Sequence, residues 1–350
     1  MHTTNTYLGL LRKRGKQGLP LTRVYRQLFN KPLYLTADGK ISRNAGSTTK
    51  GVNEETVDSM SREKIDTIIK ALRTERYQWK PARRVSIWKR KGKKRPLGLP
   101  VWSDKLLAEV IRLILNAYYD VQFSDHSQGF RERRGCHTAL QEISHTWGNA
   151  PGIIEGDISD GFGSLSHELL LATLGEKIHD GRFLHLIKKL LDAGYLEEWQ
   201  SHQTLSGAPQ GSIVSPLLSN ILLDTVDTFV ETVLIPRYTQ GEKRALNQEY
   251  VKLHKQMHKL LGKGQKEAAL KVRKQLQKLP SIDPRNPNYR RLKYVRSADD
   301  CGLAFTGPKE EAEDMKRPLG AFLQEQLGLN LSEEKTLITH ARSEAAHFLG

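Results

Sequence analysis

The sequence predicts an α+β fold in which an antiparallel β-sheet packs on helices, with a helical hairpin inserted late in the chain. Three observations predict it. Apolar, β-favouring residues flank the acidic pair Asp299–Asp300 on both sides, as in the two strands of a buried β-hairpin. Other segments, such as 104–118, repeat apolar residues at helical spacing. Two more helical stripes, one on each side of a Gly-Lys-Gly turn, lie in the basic stretch 241–280.

These patterns divide the chain into consecutive units. A polar N-terminal extension rich in Gly and Thr precedes a unit that contains a β-hairpin among helices. The next unit holds a buried strand and an apolar helix, and the basic insertion separates it from the acidic hairpin. The predicted boundaries are 1–60, 61–150, 151–235, 236–292 and 293–350. Helices are predicted at 21–29, 61–77, 104–118, 139–147 and 217–230.

Composition indicates a polyanionic partner. The chain has 55 Lys and Arg against 39 Asp and Glu, a formal net charge of +16 over 350 residues. Nucleic acid fits such an excess best, and no apolar stretch is long enough to predict a membrane span or a secretory leader. Two cysteines, Cys136 and Cys301, are too few for a disulfide framework, and each is expected to be a small buried residue. The predicted location is therefore the cytoplasm, in association with the nucleoid, with an organelle as the alternative.

Three acids are candidates for a metal site. Asp299 and Asp300 sit at the tip of the predicted hairpin, where two close carboxylates need a cation. Asp157 ends the apolar run 152–158, so a buried strand delivers a third carboxylate. Such a trio can hold two divalent ions about 3.5–4 Å apart for phosphoryl transfer. The alternative is an acidic surface turn without chemistry.

An ordered series of motifs surrounds these acids and resembles the reverse-transcriptase domain of group II intron-encoded proteins, the maturases. The resemblance runs from about Leu10 to the last residue. In chain order its motifs are Arg95–Pro100, Ser127–Arg131, the Asp157 strand, Gly207–Ser212, Ser215–Asn220, the acidic pair, Leu331–Thr336 and Phe348–Gly350. It implies the fingers (61–150) and the palm (151–235 and 293–350) of a right-hand polymerase, with two Mg²⁺ ions, or Mn²⁺ instead. The metal set it implies is Asp157, Ile158, Asp299 and Asp300.

The β-hairpin from Arg83 to Arg95 carries eight basic residues and no acid. By resemblance, Lys89 and Arg95 contact the incoming triphosphate, and Arg131 lies nearby. RNA contacts are predicted for Arg83, Arg84, Lys91, Lys93 and Lys94. The alternative is a solvated sheet edge that lysines keep soluble.

The resemblance assigns three further residues to the site. Phe162, five positions after Asp157, would stack beneath the sugar and reject a 2′-hydroxyl, or else be ordinary core. Gln210, in a glycine-rich loop, would lie against the templating base pair. Lys335 would protonate the leaving pyrophosphate, or else be an exposed lysine after a capped turn.

The insertion is predicted to form a helical hairpin closed by its own apolar stripes, with basic outer faces. It is either a solvated charged hairpin or an arm that grips structured RNA. The residues predicted to contact RNA are Lys252, Lys255, Lys259, Lys271 and Lys274.

The chain departs from the family pattern at Trp88, Gly163, Ser297 and Asn53-Glu54, where the family usually has Pro, Asp, Tyr and Asp-Gly. RNA-directed DNA synthesis is the predicted function. The departures favour, as an alternative, a weakened enzyme that acts as an RNA-binding splicing cofactor, and a host-adapted reverse transcriptase outside introns is the second alternative. The expected partners are intron RNA, a DNA primer or target and deoxynucleoside triphosphates. Because relatives continue beyond the palm, the chain is expected to be either a fragment or the partner of a separate thumb or maturase polypeptide.

Overall fold

The computed structural model describes residues 4–88, 94–148, 150–158, 165–197, 200–202, 211–283, 286–332, 336–341, 344, 346 and 348 of the chain. The side chains of residues 95, 200 and 201 lie outside this description. In the described part, no helix is both long and apolar enough to cross a bilayer.

Groups of helices are separated by single strands or pairs of strands along the chain. The helices are α1 (Thr4–Lys16), α2 (Val24–Gln27), α3 (Lys31–Ile41), α4 (Arg62–Arg73), α5 (Trp102–Tyr119), α6 (Cys136–Thr146), α7 (His167–Lys177), α8 (Gly181–Leu191), α9 (Ser215–Phe229), α10 (Ile235–Arg237), α11 (Gln248–Gly262), α12 (Lys266–Leu276) and α13 (Lys309–Phe322). The strands are β1 (Ala82–Trp88), β2 (Lys94–Leu99), β3 (Gly152–Asp157), β4 (Tyr195–Glu197), β5 (Gln200–His202), β6 (Arg291–Ser297), β7 (Asp300–Thr306) and β8 (Ile338–His340).

The strands form two four-stranded sheets. The first has the order β2-β1-β4-β5, in which β1 is antiparallel to β2 and parallel to β4. The second has the order β6-β7-β3-β8 with antiparallel neighbours throughout. The α+β class and the antiparallel sheet predicted from the sequence are confirmed. The sequence did not predict β4 and β5, because strands of three residues are too short to show an alternating pattern.

The N-terminal extension is more structured than the sequence predicted. The helix predicted at 21–29 is present as the short α2, but the expectation that it is the only helix of this region was wrong, because α1 and α3 also form. α1 packs on α5 and buries Leu8 and Leu11, while Leu33 and Tyr34 of α3 are fully buried. The many polar residues between these positions hide the helical repeat, since tertiary packing rather than local pattern stabilises such short helices.

The helix α9 runs through the core and carries residues that contact the β6–β7 hairpin. Leu218, Leu222, Val226 and Val230 recur every fourth residue and are all buried, so one face of the helix lies wholly in the interior. α9 packs against α5 and α7, and its chain continues as a π-helical segment at Val230–Leu234. Two buried polar residues of this helix, Asn220 and Asp227, accept hydrogen bonds from Arg296 of β6.

The basic insertion forms the predicted helical hairpin. α11 packs on α12, and Ala269, Val272 and Leu276 of α12 are buried in the contact. The opposing stripe of α11, which includes Leu253 and Met257, is half-buried. The two helices therefore close on each other by their apolar stripes, as the sequence predicted.

Candidate active site

Asp157 and Asp300 lie directly opposite each other in the second sheet. Asp157 ends β3, Asp300 begins β7, and the antiparallel register pairs the two residues. Opposed residues of an antiparallel pair share one face of the sheet, with Cβ atoms about 4.5–5.5 Å apart. The two carboxylates therefore emerge side by side, an arrangement that is unfavourable without a nearby cation.

Asp299 reaches the same edge through the turn between β6 and β7. Ser297 pairs with Asp300, so Ala298 and Asp299 form a two-residue hairpin loop. The Ile158 amide donates to the Asp299 carbonyl oxygen at 3.2 Å, which ties the loop to the residue that follows Asp157. Ala298 has φ +59°. This left-handed conformation costs a residue with a Cβ atom about 1–2 kcal/mol, so its neighbours must hold the turn.

The donor atoms at this edge are oxygens, which suits a hard divalent cation. The candidates are the three carboxylates and the backbone oxygen of Ile158, whose side chain is buried. Among the residues that the structure describes, no three His, Cys, Asp or Glu side chains converge closely enough to hold an ion. The backbone register thus brings the three acids to one edge, and side-chain rotation has to turn their oxygens toward a shared ion.

Arg296 lies behind the acidic turn with its whole guanidinium buried. Its Nε and Nη2 atoms donate to the two carboxylate oxygens of Asp227 at 2.7 and 2.6 Å. Nη1 donates to Asn220 Oδ1 at 3.1 Å and to the Ala298 carbonyl oxygen at 2.9 Å. Nη2 also donates to Ser127 Oγ at 2.9 Å. The five donors of the guanidinium therefore meet five acceptors.

The loop at 124–131 closes over the other side of the turn. A Cβ atom at Gly129 would lie 2.5 Å from the Ala298 amide nitrogen, so only glycine permits this approach. Asn220 Nδ2 donates to the Gly129 carbonyl oxygen at 2.8 Å, and the Gln128 amide donates to the Arg296 carbonyl oxygen at 2.8 Å. Two segments distant in sequence therefore meet at Ala298.

Sequence reasoning missed this buried cluster. The sequence carried only a weak signal, because β6 contains three cations and α9 two acids, so neither Arg296 nor Asp227 stands out as the buried charge. A charge in such a position is retained only with a partner. What the sequence lacked was any means of pairing the two residues, which lie 69 positions apart.

Burial next to Asp227 raises the pKa of Asp224 to about 6, and Glu231 adds to the shift while Arg296 opposes it. A carboxyl group with a raised folded-state pKa lowers stability as the pH rises from about 4 to about 6. We therefore expect Asp224→Asn to raise the free energy of unfolding at pH 7.5 by about 1–2 kcal/mol. The gain should vanish near pH 4, and thermal unfolding across this pH range measures it.

Asp125 supplies the matched control for this prediction. Its side chain is 91% exposed and pairs with Arg134 at the surface. Asp125→Asn should leave the pH profile of stability unchanged, because exposed ion pairs contribute little. A gain for Asp224→Asn that is equal at pH 4 and pH 7.5 would contradict the proposed penalty for burying the carboxylate.

Arg131 is occupied in a structural role. Its side chain is 5% exposed and its Nε atom donates to Asp120 Oδ1 at 2.8 Å. Its Nη atoms donate to the carbonyl oxygens of Asp120, Ser124 and Ser127. The packing favours a guanidinium that fixes the 124–131 loop, and the contact with the triphosphate stays a prediction.

The first sheet carries cations beside aromatic rings. The Arg84 guanidinium lies 4.2 Å from the centre of the Tyr195 ring, and Lys94 Nζ lies 4.9 Å from that of Trp88. Trp88 is 70% exposed. By contrast, Arg83 donates to the Lys50 carbonyl oxygen at 2.8 Å. Lys94 and Trp88 thus form the accessible surface of this sheet, whereas Arg84 is half-buried and also pairs with Glu197 at 3.5 Å.

Several predicted site residues lie outside the described part of the chain. They are Lys89, Lys91, Lys93, Phe162, Gly163, Gln210 and Lys335, together with the side chain of Arg95. The segment that leads to Lys335 begins at the site, because the Ser332 amide donates to the Asp157 carbonyl oxygen at 2.8 Å. The glycine after Gln210 approaches protein rather than an open surface, since a Cβ atom at Gly211 would lie 2.0 Å from the Gly98 carbonyl oxygen.

The lysines predicted to contact RNA on the insertion are all exposed. They lie on the outer faces of α11 and α12, away from the buried stripe. They are Lys252, Lys255, Lys259, Lys271 and Lys274. Their position is as predicted, and their contact with RNA stays a prediction.

The two cysteines differ from each other. Cys301 is buried as expected, and burial raises the pKa of its thiol to about 12, with Asp300 adding to the shift. The same expectation for Cys136 was wrong, because this residue is exposed at the start of α6. Neither thiol lies among the residues proposed for chemistry.

Comparison with known proteins gives a consistent result. Residues 87–350 match the reverse transcriptase (RNA-dependent DNA polymerase) family. The chain is 39% identical over its whole length to the group II intron-encoded protein LtrA of Lactococcus lactis subsp. cremoris, of which it covers 60%. It is 37% identical over 92% of its length to the putative COX1/OXI3 intron 1 protein of Saccharomyces cerevisiae, of which it covers 38%. It is 30% identical over 95% of its length to protein YkfC of Escherichia coli K12, of which it covers 83%.

Proposed function

The chain belongs to the reverse transcriptase family, and within it to the group II intron-encoded type, and from this premise we propose that it copies RNA into DNA at the edge formed by Asp157, Asp299 and Asp300. The family uses divalent metals. The observation that carries the proposal is the register that sets Asp157 opposite Asp300 beside the turn that holds Asp299.

The chemistry is a phosphoryl transfer. Two Mg²⁺ ions bound at this edge, or Mn²⁺ in their place, would favour ionisation of the primer hydroxyl and offset the charge on the nucleotide phosphates. The primer 3′-oxygen forms a bond to the α-phosphorus, and the bond from that phosphorus to the oxygen shared with the β-phosphate breaks. The hydroxyl proton passes to water and pyrophosphate leaves, with Lys335 proposed as its proton donor.

The residues of the chain position the reactants around this edge. A shallow depression beside Asp299 is lined by Phe130, Pro216, Ser219 and Ala298 among others. It is too tight to enclose a molecule, and Ser219 Oγ is buried beneath it without a hydrogen-bond partner among the described residues. We therefore place the primer end over this depression, next to Asp299, rather than inside it.

We assign the single-stranded template to the first sheet. Its exposed ring, Trp88, offers a face on which an unpaired base of the template can stack. Arg84 and Lys94 lie beside aromatic rings of the same sheet, where their charges can pair with the template phosphates. Intron RNA and a DNA primer are therefore the proposed partners. The formal charge of +16 favours both.

A second candidate function is that of an RNA-binding splicing cofactor. Ser297, at the end of β6, favours it because it stands where the family usually has the tyrosine of the acidic turn. A cofactor of this kind needs the basic surfaces but not the carboxylates. The two functions therefore differ in whether metal and nucleotide are needed.

The test uses purified full-length chain, an RNA template and an annealed DNA primer. We expect extension that requires a divalent metal and all four deoxynucleotides, with RNA binding measured on the same preparation. Tight RNA binding by folded protein with no extension under any divalent metal would favour the splicing cofactor and reject the polymerase.

The serine of the acidic turn offers a gain-of-function test. We expect Ser297→Tyr, alone or with Gly163→Asp, to raise the rate of primer extension by roughly 3- to 10-fold, up to about 1.4 kcal/mol in the barrier. The physical reason is that an aromatic ring packs near the primer end and supports the turn. Steady-state kinetics on poly(rA)/oligo(dT) measure it, with Ser297→Phe to separate the ring from its hydroxyl. No gain in a folded variant would show that the palm has adapted to serine.

A further inference from the structure

The buried charge of Arg296 needs a reason other than stability. Arg296 and Asp227 are both 0% exposed, and burying two charges costs desolvation that their attraction only partly returns. Apolar residues of similar volume would pack such a site about as well. A guanidinium with five satisfied donors differs from an apolar side chain in one respect, because it fixes the direction of every group that it contacts.

One of those groups belongs to the acidic turn. The Ala298 carbonyl oxygen accepts from Arg296 Nη1 at 2.9 Å, and the next residue is Asp299. Ala298 holds a positive φ of 59°, which an alanine adopts only under restraint from outside. The restraint comes from Arg296 on one side and from the backbone of Gly129 on the other.

The same guanidinium connects the turn to the rest of the palm. Asp227 and Asn220 lie on α9, and Ser127 lies on the loop that covers the turn. The Arg296 backbone is held as well, because its amide donates to the His126 carbonyl oxygen at 2.9 Å. A shift at Arg296 would therefore be transmitted to Ala298, while the pairing of Asp300 with Asp157 anchors only the far side of the turn.

We propose that Arg296 is a positioning residue that holds the Ala298–Asp299 turn so that the Asp299 carboxylate faces the same metal as Asp157 and Asp300. The proposal rests on the proposed polymerase function for the meaning of that metal. It does not make Arg296 a catalytic residue, since its side chain is enclosed and contacts neither primer nor nucleotide.

The direct test is Arg296→Lys in the full chain. Lysine keeps the charge opposite Asp227 but cannot donate to Asp227, Asn220, Ser127 and Ala298 together. We expect kcat for primer extension to fall by roughly 10²-fold, the cost of a misplacement of about 1 Å. The Mg²⁺ concentration for half-maximal activity should rise by about tenfold, while KM for the primer–template should change little. Mn²⁺ affinity, measured by electron paramagnetic resonance of the free ion, should weaken to a similar extent. This measurement does not depend on enzymatic activity.

Tyr294→Phe is the matched control. The Tyr294 hydroxyl donates to Asp227 Oδ1 at 2.7 Å, so its loss perturbs the same buried cluster without touching the turn. We expect a lower melting temperature with unchanged Mg²⁺ dependence and unchanged Mn²⁺ affinity. If Tyr294→Phe weakens Mn²⁺ binding as much as Arg296→Lys does, the cluster is only structural and the proposal is overturned.

Two further variants keep the test decisive if Arg296→Lys folds poorly. Gly129→Ala presses a Cβ atom onto the Ala298 amide and should raise the Mg²⁺ requirement while keeping the Arg296 side chain and all of its donors. Ala298→Gly removes the strain of the positive φ and, combined with Arg296→Lys, should restore part of the Mn²⁺ affinity. Wild-type Mn²⁺ affinity in both Arg296→Lys and Gly129→Ala would overturn the proposal.

The outcomes separate this inference from the proposed function. Wild-type protein that extends primers, with variants of unchanged metal affinity, rejects the positioning role and leaves the polymerase standing. Wild-type protein that does not extend primers, with variants of weakened Mn²⁺ affinity, rejects the polymerase and supports the positioning role.

Discussion

Asp299→Asn is expected to abolish primer extension while leaving RNA affinity nearly intact. The amide keeps the size of the carboxyl group but removes the charge that a divalent ion requires at the turn. Loss of one charged group that stabilises the transition state typically costs about 10²- to 10³-fold in rate, and a metal carboxylate should cost at least that. Extension and filter-binding assays on one preparation measure both quantities.

The prediction for RNA affinity follows from charge. Carboxylates repel phosphates, so their removal cannot weaken a complex that lysine and arginine side chains hold. Asp314→Asn, on the exposed side of α13, makes the same change of charge away from the turn and should leave both measurements unchanged. Extension by Asp299→Asn at the wild-type rate would reject the metal assignment.

The sequence predicted the elements whose contacts are local. The strands around Asp299–Asp300 carry apolar, β-favouring residues, and their hairpin closes between Ser297 and Asp300 as expected. The sequence predicted the α11–α12 hairpin equally well, because the two apolar stripes that pack together are separated only by a short turn. In both cases the information lies within one continuous segment.

The sequence did not predict contacts between segments that lie far apart in the chain. β3 pairs with β7 and β8 over long separations, so the apolar run of β3 made Asp157 a candidate but could not predict its alignment with Asp300. The role of Arg131 is a second case. Its motif suggested a free cation, whereas its guanidinium is enclosed by backbone carbonyls of its own loop. Loop closure decides such roles, and a linear pattern does not encode it.

The hairpin of α11 and α12 is expected to be removable without unfolding the palm. The structure gives the cut, because the Asn247 amide donates to the Ser281 carbonyl oxygen at 3.1 Å and Leu246 pairs with Ile282. The segment 248–280 therefore begins and ends at an antiparallel bridge between residues 245–247 and 281–283, which we call the stalk. A short Gly/Ser linker can join Asn247 to Ser281, since the backbones of these two residues are already hydrogen-bonded to each other.

RNA binding should weaken in this deletion and become less sensitive to salt. The deletion removes nine Lys or Arg residues against two Glu, and the slope of log affinity against log salt should fall by roughly 0.7–0.9 for each phosphate that the protein no longer neutralises. Extension of a short primer–template that does not reach the hairpin should be nearly unchanged. The deletion variant is therefore compared with the wild-type chain on two substrates, a long structured RNA and a minimal duplex. Binding affinity is measured over a salt series, and primer extension is measured on the minimal duplex.

A variant with fewer lysines distinguishes the effect of the hairpin's surface charge from the effect of the hairpin as a whole. Replacing Lys252, Lys255, Lys259, Lys271 and Lys274 by Gln keeps good helix formers at exposed positions and leaves the buried stripe of Val272 and Leu276 untouched. If the hairpin grips RNA through its charge, this variant should reproduce the change in salt slope while its melting temperature stays at the wild-type value. Equal losses on both substrates, or an unchanged salt slope in both variants, would show instead that the hairpin braces the stalk and that its lysines only solvate it.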